Sequence, residues 1–555
     1  MINKIKKIIF SWWFLVLILT LPTFVGLFKS GYFPMHDDIS AMRLLEMDKC
    51  FADGQIPCRW VPDMGFGYGY PQFNYYAPLP YYIMEVFHLG GLGYLDSVKA
   101  GFILSFVLSG VGMYLLGKSL WGKSGGFVSA LFYAYLPYRA VDAFVRGAVG
   151  ELYAFAILPF VFLVCKNTLN GDKKAKLLLA LSTAALLTSH NITSMIILPF
   201  LIGWIVFIIV NQKLRLLPDF RKRIIDLIVG FIWGFGLSAF FTLPAFFERN
   251  LVHIETLTGG YFNYLAHFVS LGQLLFSNYW GYGTSEAGPW DEASFTIGLF
   301  HWGTALLAVI VAYILKSRKK IPLVLFWIVC GIVSAFMAHS RSTFIWKALP
   351  FTSFIQFPWR FLLLSGFFFS TAVGAISLFF PKGAKKMLYV SLISIVLILF
   401  YAGIFKPSKW IKITDAEKFS GDSWQRQQTV SIFDYLPIDV TEGPKAAAPE
   451  SPLVLSGQGE VANWQKGTNW QKGKIKVYEK ARVELPVYYF PGWGVTANNI
   501  AQKINYENKL ALISVDLEQG EYEMEARLKN TPIKTAGNMI TLIMLMAIPI
   551  YLKRR

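Results

Sequence analysis

Charge is scarce in this chain. Asp, Glu, Lys and Arg make up 15% of its 555 residues, where soluble domains carry about a quarter. With 55% hydrophobic and 17% aromatic residues, the composition is that of a polytopic membrane protein. Cysteines number only four, and none falls in a metal-type Cys/His cluster. No Walker loop and no Rossmann glycine pattern occurs in a fitting context, so no nucleotide-phosphate cradle is legible. The opening run "MINKIKKIIFSWWFLVLILTLPTFVGLF" lacks a small-residue cleavage pattern. It is therefore expected to be an uncleaved first span.

What charge there is sums to +18, yet it does not form a nucleic-acid surface. The basic residues sit in short clusters between apolar runs, where they orient membrane segments. Runs long enough to span occur near 9–28, 97–117, 124–138, 150–166, 175–190, 193–211, 224–246, 294–315, 321–339, 361–380, 387–405 and 536–552. About twelve transmembrane helices are expected. With a cytoplasmic N-terminus, every inside connection is basic: Lys118 and Lys123; Lys166, Lys173, Lys174 and Lys176; Lys213, Arg215, Arg221, Lys222 and Arg223; Lys316, Arg318, Lys319 and Lys320; Lys382, Lys385 and Lys386; and Lys553, Arg554 and Arg555. Both termini are then cytoplasmic in a multi-pass membrane protein.

The opposite, extracytoplasmic face carries a long first loop, 29–96, a second loop, 247–293, and a polar region, 406–535. The last region alternates apolar and polar residues in "KIKVYEKARVELPVYYFPGWGVTA", "KLALISVDL" and "EYEMEARL", with Pro491-Gly492 and Gly520 as turns. It predicts a small β-rich domain. The expected organisation is a transmembrane domain over 1–405, the β-rich domain over 406–535, and a final helix with a basic tail over 536–555. Cys165 and Cys330 fall in spans as packing residues. Cys50 and Cys58 share the first loop, where a disulfide is permitted.

Four stretches on the outer face hold the candidate chemistry. In "HDDISAMRLLEMDKC", His36, Asp37 and Asp38 precede an approximate apolar face that suggests a helix along the membrane surface. One aspartate would cap that helix; a second exceeds the need and could point into a cavity. In "YRAVDAFVRGAVGELYAF", Arg139, Asp142 and Arg146 follow helical spacing ahead of Glu151. An exposed Asp142–Arg146 pair would contribute little, but charges bordering hydrocarbon usually face a polar cavity, and forked guanidinium groups suit phosphate. His190 and Asn191 form a tight turn in "LLTSHNITSMI". In "IQFPWRFLLL", Trp359 reads as an interfacial anchor and Arg360 as a snorkelling or phosphate-binding cation; Arg341 stands behind it. The aromatic-rich "DMGFGYGYPQFNYYAPLPYYIM" at 63–84 would suit either a sugar-stacking surface or an interfacial belt.

These pieces, with "HDD", "VRGAVGE", "SHN" and "FPWRF" in that order and the C-terminal "YYFPGWGVTANN", resemble the GT-C superfamily of integral-membrane glycosyltransferases. The nearer resemblance is to the YfhO-like, or 6-pyruvoyl-tetrahydropterin-synthase-related, bacterial membrane proteins. The resemblance covers nearly the whole chain and carries no pterin chemistry, since no soluble synthase domain is present. It implies transfer of a sugar from a polyprenyl-phosphate-linked donor to a glycan, lipid or protein acceptor among membrane lipids. Asp37 or Asp38 would be the general base, with Arg146 and Arg360, then Arg139 and Arg341, on the phosphate. It leaves room for a divalent metal, Mg or Mn, with Asp142 or Glu151 helping to hold it. The oligosaccharyltransferase-type "WWD" signature is absent, which argues against transfer to asparagine. A lipid-linked glycan transporter would instead carry charged or broken spans and pseudo-repeated halves. A non-catalytic scaffold for the β domain would not need the first-loop carboxylates.

Overall fold

The computed structural model describes residues 12–288, 290–314, 320–381 and 383–553. The basic leader and residues 9–11 of the first run, with Lys316, Arg318, Lys319, Lys382, Arg554 and Arg555, lie outside them. The chain divides into two compact units. The first comprises residues 1–38, 95–235 and 258–412, the second 39–94, 236–257 and 413–555.

The first unit is a helical bundle, and each of the apolar runs assigned to it falls on a helix. Over the whole chain, seven helices among the described residues are long and apolar enough to cross a membrane, or eight if the bent pair Phe220–Leu237 and Ala239–Phe247 is one span. Trp12–Thr23, Ala175–Leu187 and Leu299–Ile314 are apolar but shorter. The second and third runs share one stretch of helix, Tyr94–Ala134, interrupted at Gly122 with φ 81° and ψ 179°. Gly117 and Gly126 would lie about 13.5 Å apart along a straight helix. Yet a Cβ added to Gly117 would stand 2.9 Å from the Gly126 Cα. The chain therefore doubles back at Gly122, and glycines let the two arms touch as membrane helices do. A ring cluster of Phe162, Trp204, Trp327 and Phe367 fills the bundle, with the two tryptophans 4.6 Å apart.

The second unit holds the expected β-rich domain. Its strands are β1 (Leu453–Ser456), β2 (Gly459–Lys466), β3 (Trp470–Val477), β4 (Ala481–Tyr488), β5 (Trp493–Ala497), β6 (Ile500–Gln502), β7 (Leu512–Leu517) and β8 (Gly520–Leu528). They form two antiparallel sheets, ordered β1-β4-β7 and β2-β3-β8-β5-β6. Alternation sends Val483, Leu485, Val515 and Ala526 into the core, while Lys474 and Lys476 oppose Glu523 and Glu521 on the wet face of β3 and β8. The repeated NWQKG straddles the β2–β3 hairpin.

Three expectations for the first loop are corrected. The helix Ser40–Ala52 does not present an apolar face outward: Met42, Arg43, Leu44, Glu46 and Met47 are all buried. Its N-cap is Ile39, with no side-chain capping bond, so neither aspartate takes that role. The aromatic stretch 63–84 forms neither a sugar platform nor an interfacial belt. Tyr68 and Tyr75 join Trp60, Tyr488 and Trp493 in the core beneath the strands. Cys50 and Cys58 are joined in a disulfide.

Helix Leu79–Leu89 buries Glu85, and burial together with the neighbouring Asp48 charge pushes its carboxyl up to about 7. The native state therefore binds more protons than the unfolded chain between the ordinary 4.5 and about 7. Stability should fall as pH rises through that window. Thermal unfolding of the purified protein should lose a few degrees from pH 5 to pH 8, and Glu85→Gln should flatten the dependence. An unchanged slope in the variant would remove Glu85 as its source.

Candidate active site

The site is built around one turn of unusual helix. Pro137 opens the helix Pro137–Val141 after an extended Leu136, and residues Asp142–Arg146 continue it as a π-helix, a widening that recurs at functional sites. Gly147, at φ +71°, closes the turn with its N–H on the Asp142 carbonyl. The helix Val149–Leu169 then starts, with Glu151 in its first turn, where backbone N–H groups favour a carboxylate.

Arg146 is the hub. Its Nη1 donates to Tyr138 Oη at 3.1 Å and, more closely, to Asp142 Oδ1 and Glu151 Oε2. Tyr138 Oη in turn donates to Glu151 Oε1 at 2.9 Å. Asp142 and Glu151 are 0% and 1% exposed. The pair expected to be a weak surface contact is thus a buried network, where each charge depends on its partner. Burial, then the Glu151 charge, pushes the Asp142 carboxyl well above the usual range, against the pull of Arg146.

Trp359 is not an interfacial anchor. It is 4% exposed, stacked on Phe295 at 4.9 Å and on Phe357 at 4.6 Å, with the Arg146 guanidinium 4.5 Å from its ring centre. Its Nε1 donates to Ser285 Oγ at 3.2 Å. Ser285 Oγ also lies 2.9 Å from His267 Nδ1 and 3.0 Å from Asp291 Oδ1. His267 Nε2 donates to the Tyr261 carbonyl at 2.6 Å. One hydroxyl proton cannot serve both His267 and Asp291, so the network closes fully only with an extra proton on one of them. Burial pushes the Asp291 carboxyl up and the His267 imidazole down, while the hydrogen bonds from Gln273, Ser285 and Glu286 N pull Asp291 back.

Arg360 Nη1 donates to the Ile355 carbonyl at 2.7 Å and to Gln356 Oε1 at 2.9 Å, both neutral acceptors. His190 caps the helix Asn191–Ile196, its Nδ1 accepting from Thr193 N at 3.3 Å. This turn abuts the helix that carries Glu151, since a Cβ on Gly150 would lie 2.8 Å from the Ser189 carbonyl and 3.4 Å from His190 Cδ2.

The acidic segment is fastened directly to the hub. His36 N donates to the Val145 carbonyl at 2.9 Å and Asp37 N to the Arg146 carbonyl at 2.8 Å. His36 Nε2 lies 3.0 Å from the Tyr282 carbonyl, which brings in the second loop. The Asp37 side chain is exposed and that of Asp38 half-buried. His36, Asp37, Asp142, Arg146, Glu151, His190 and Arg360 are therefore brought to one place.

Three expected residues are not part of it. Arg139 is fully buried against Phe106 at 4.1 Å, donates to the Ser105 carbonyl at 3.2 Å, and is pushed down to about 9 by burial. Arg341 is exposed in the short turn Ser340–Ser342, and Asn191 is exposed at the start of its helix. Tyr138 was legible, since 138, 142 and 146 share one spacing; Ser285, His267 and Asp291 left no signal. The donor set does not fit a divalent metal. Asp142 and Glu151 both bind the same guanidinium nitrogen, whose charge would repel a cation, and no group of three or more metal-ligating side chains is placed together among the described residues.

A family model for the 6-pyruvoyl-tetrahydropterin synthase related domain, a membrane protein, matches residues 73–406. An uncharacterized protein of Lactococcus lactis subsp. cremoris (strain MG1363) is 21% identical over 272 residues, 47% of this chain and 42% of that one. The match thus spans less than half of that relative's length. The Archaeoglobus fulgidus oligosaccharyltransferase tethered with an acceptor peptide is 12% identical, over 79% of this chain and 60% of that one, at TM-score 0.45. Arabinofuranosyltransferase AftD from Mycobacteria is 14% identical, over 73% and 27%, at TM-score 0.42. ArnT from Cupriavidus metallidurans, bound to undecaprenyl phosphate, is 14% identical, over 71% of each chain, at TM-score 0.38. The family match covers more than half of the chain, and the protein belongs to the 6-pyruvoyl-tetrahydropterin synthase related family of membrane proteins.

Proposed function

We propose that this protein is a membrane glycosyltransferase that moves a sugar from a polyprenyl-phosphate-linked donor to a hydroxyl acceptor on the extracytoplasmic face. The observation that carries the reading is the pair of backbone bonds from His36 and Asp37 to Val145 and Arg146. They fasten the segment that carries the exposed Asp37 carboxylate to the backbone of Arg146, far along the chain. In the proposed reaction the acceptor oxygen bonds to the anomeric carbon, the bond from that carbon to the phosphate oxygen breaks, and the hydroxyl proton passes to Asp37. The departing phosphate needs positive charge rather than an acid.

The hydrogen-bonding pattern around the two guanidinium groups favours Arg360 for that task. Arg146 is already engaged by Asp142 and Glu151, whereas the hydrogen bonds of Arg360 go to neutral acceptors. Arg146 then acts as the strut that fixes the site, and Asp38, half-buried, stands behind Asp37.

The test is transfer from labelled polyprenyl-phosphate sugars in membranes holding the wild type, Asp37→Asn or Asp38→Asn at matched abundance. Asp37→Asn is expected to lower transfer by about 10²–10⁴-fold, and Asp38→Asn by much less. Full activity in Asp37→Asn would reject it as the base. Absence of transfer from every donor by the wild type would favour transport or scaffolding.

A further inference from the structure

The outer connection between the spanning helices Ile321–Ala338 and Pro358–Leu378 is basic and interleaves polar residues with large apolar ones. Residues 339–357 contain no Asp or Glu. They fold as the helix Thr343–Ala348 followed by a 3₁₀ stretch, Pro350–Ile355. One side is anchored: Trp346 stacks on Tyr264 at 5.0 Å and donates from Nε1 to the Met337 carbonyl at 3.2 Å. The other side is open and apolar, with Phe344 66% and Phe351 50% exposed, and it carries Arg341 and Lys347, also exposed. Among the described residues neither cation has an acidic partner within ion-pair distance. Both ends of the segment lie within a residue of helices apolar enough to cross the membrane.

We propose that residues 340–356 form an in-plane collar that docks on an anionic lipid surface. Large exposed rings are costly in water but belong at the headgroup level, where the ring enters the acyl boundary. A basic, acid-free stretch at that depth attracts negatively charged headgroups. This gives a place to Arg341, which lies apart from the site, and its occupant is the bilayer itself rather than a free phosphate. The inference rests on the adjacent spans and not on sugar transfer. The two ideas meet at Arg360, because the last residues of the collar, Ile355 and Gln356, hold its guanidinium.

The experiment uses the full chain in phosphatidylcholine nanodiscs with and without phosphatidylglycerol. Cys50 and Cys58 are bridged, and Cys165 and Cys330 are buried, so spin labels go to cysteines introduced as Phe344→Cys, Phe351→Cys and, on the wet face of β3, Lys474→Cys. Labels at 344 and 351 should be relaxed more by oxygen than by a water-soluble nickel chelate, and the label at 474 the reverse. Phosphatidylglycerol retained on the protein in native mass spectrometry should fall about fivefold for each of Arg341→Gln and Lys347→Gln. Inorganic phosphate should not compete with it. Chelate accessibility at 344 and 351 equal to that at 474 would overturn the collar. Retention unchanged in both variants, or abolished by inorganic phosphate, would overturn its preference for anionic lipid. None of these readouts depends on transfer activity, so each idea can fail without the other.

Discussion

Arg146→Gln is expected to destabilise the protein by about 3–5 kcal/mol, the range for removing one partner of a buried ion pair, and to abolish transfer. The guanidinium holds Asp142, Glu151 and Tyr138 from one nitrogen and stacks on Trp359. Glutamine reaches fewer of these groups and carries no charge. It leaves two carboxyls facing each other inside the bundle, an arrangement that persists only if at least one stays protonated. Thermal unfolding in detergent would measure the loss. Arg146→Gln combined with Asp142→Asn removes one carboxylate and should recover part of the stability, with a coupling of about 1 kcal/mol or more between the sites. Transfer should stay lost in the double variant, because the guanidinium that holds Tyr138 and Glu151 and lies over Trp359 is still missing. A single variant as stable as the wild type would show that the network contributes nothing to the fold.

Gly147→Ala is expected to separate site geometry from bulk stability. The residue sits at φ +71°, and an added Cβ would lie 2.1 Å from Met35 Sδ and 2.6 Å from Met35 Cγ. An alanine held in the left-handed region costs roughly 1–2 kcal/mol. The collision has a second consequence, since Met35 immediately precedes the segment bonded to Val145 and Arg146. The Met35 side chain must give way, and the expected result is a displaced segment with the Asp37 carboxylate moved along with it. Transfer should fall nearly as far as in Asp37→Asn, while unfolding changes only modestly. Gly91→Ala is the control. Gly91 has φ +100° with nothing within 4 Å of an added Cβ, so it tests strain without collision and should leave transfer intact. Normal transfer in Gly147→Ala would mean that the first-loop segment does not need this close approach.

Local pattern was enough for the secondary structure. Long apolar runs must close their hydrogen bonds within themselves, so they became helices. Alternation of apolar and polar residues made β3, β4, β7 and β8 legible before their pairing was known. The two arms on either side of Gly122 were readable as separate runs, because Lys118 and Lys123 interrupt the apolar stretch between them. The site was legible in its ingredients. Asp142 and Arg146 were recognisable as a helical pair and Arg360 as a cation at a span boundary.

Their energetics were not legible, because burial belongs to the assembled bundle. The same i,i+4 pair is weak when exposed and becomes a structural hub at 0% and 8% exposure. Trp359 could be placed at the membrane edge by composition, but only packing put Phe295, Phe357 and the Arg146 guanidinium against its ring. Asp37 and Asp38 looked like caps because a helix follows them; the tertiary bonds to Val145 and Arg146 claim that segment and leave Ile39 at the helix start. The sequence by itself determined a membrane bundle, a β-rich domain and the side chains available for chemistry. Tertiary structure alone decided which of them meet, because bonds between residues far apart in the chain leave no period or spacing to read.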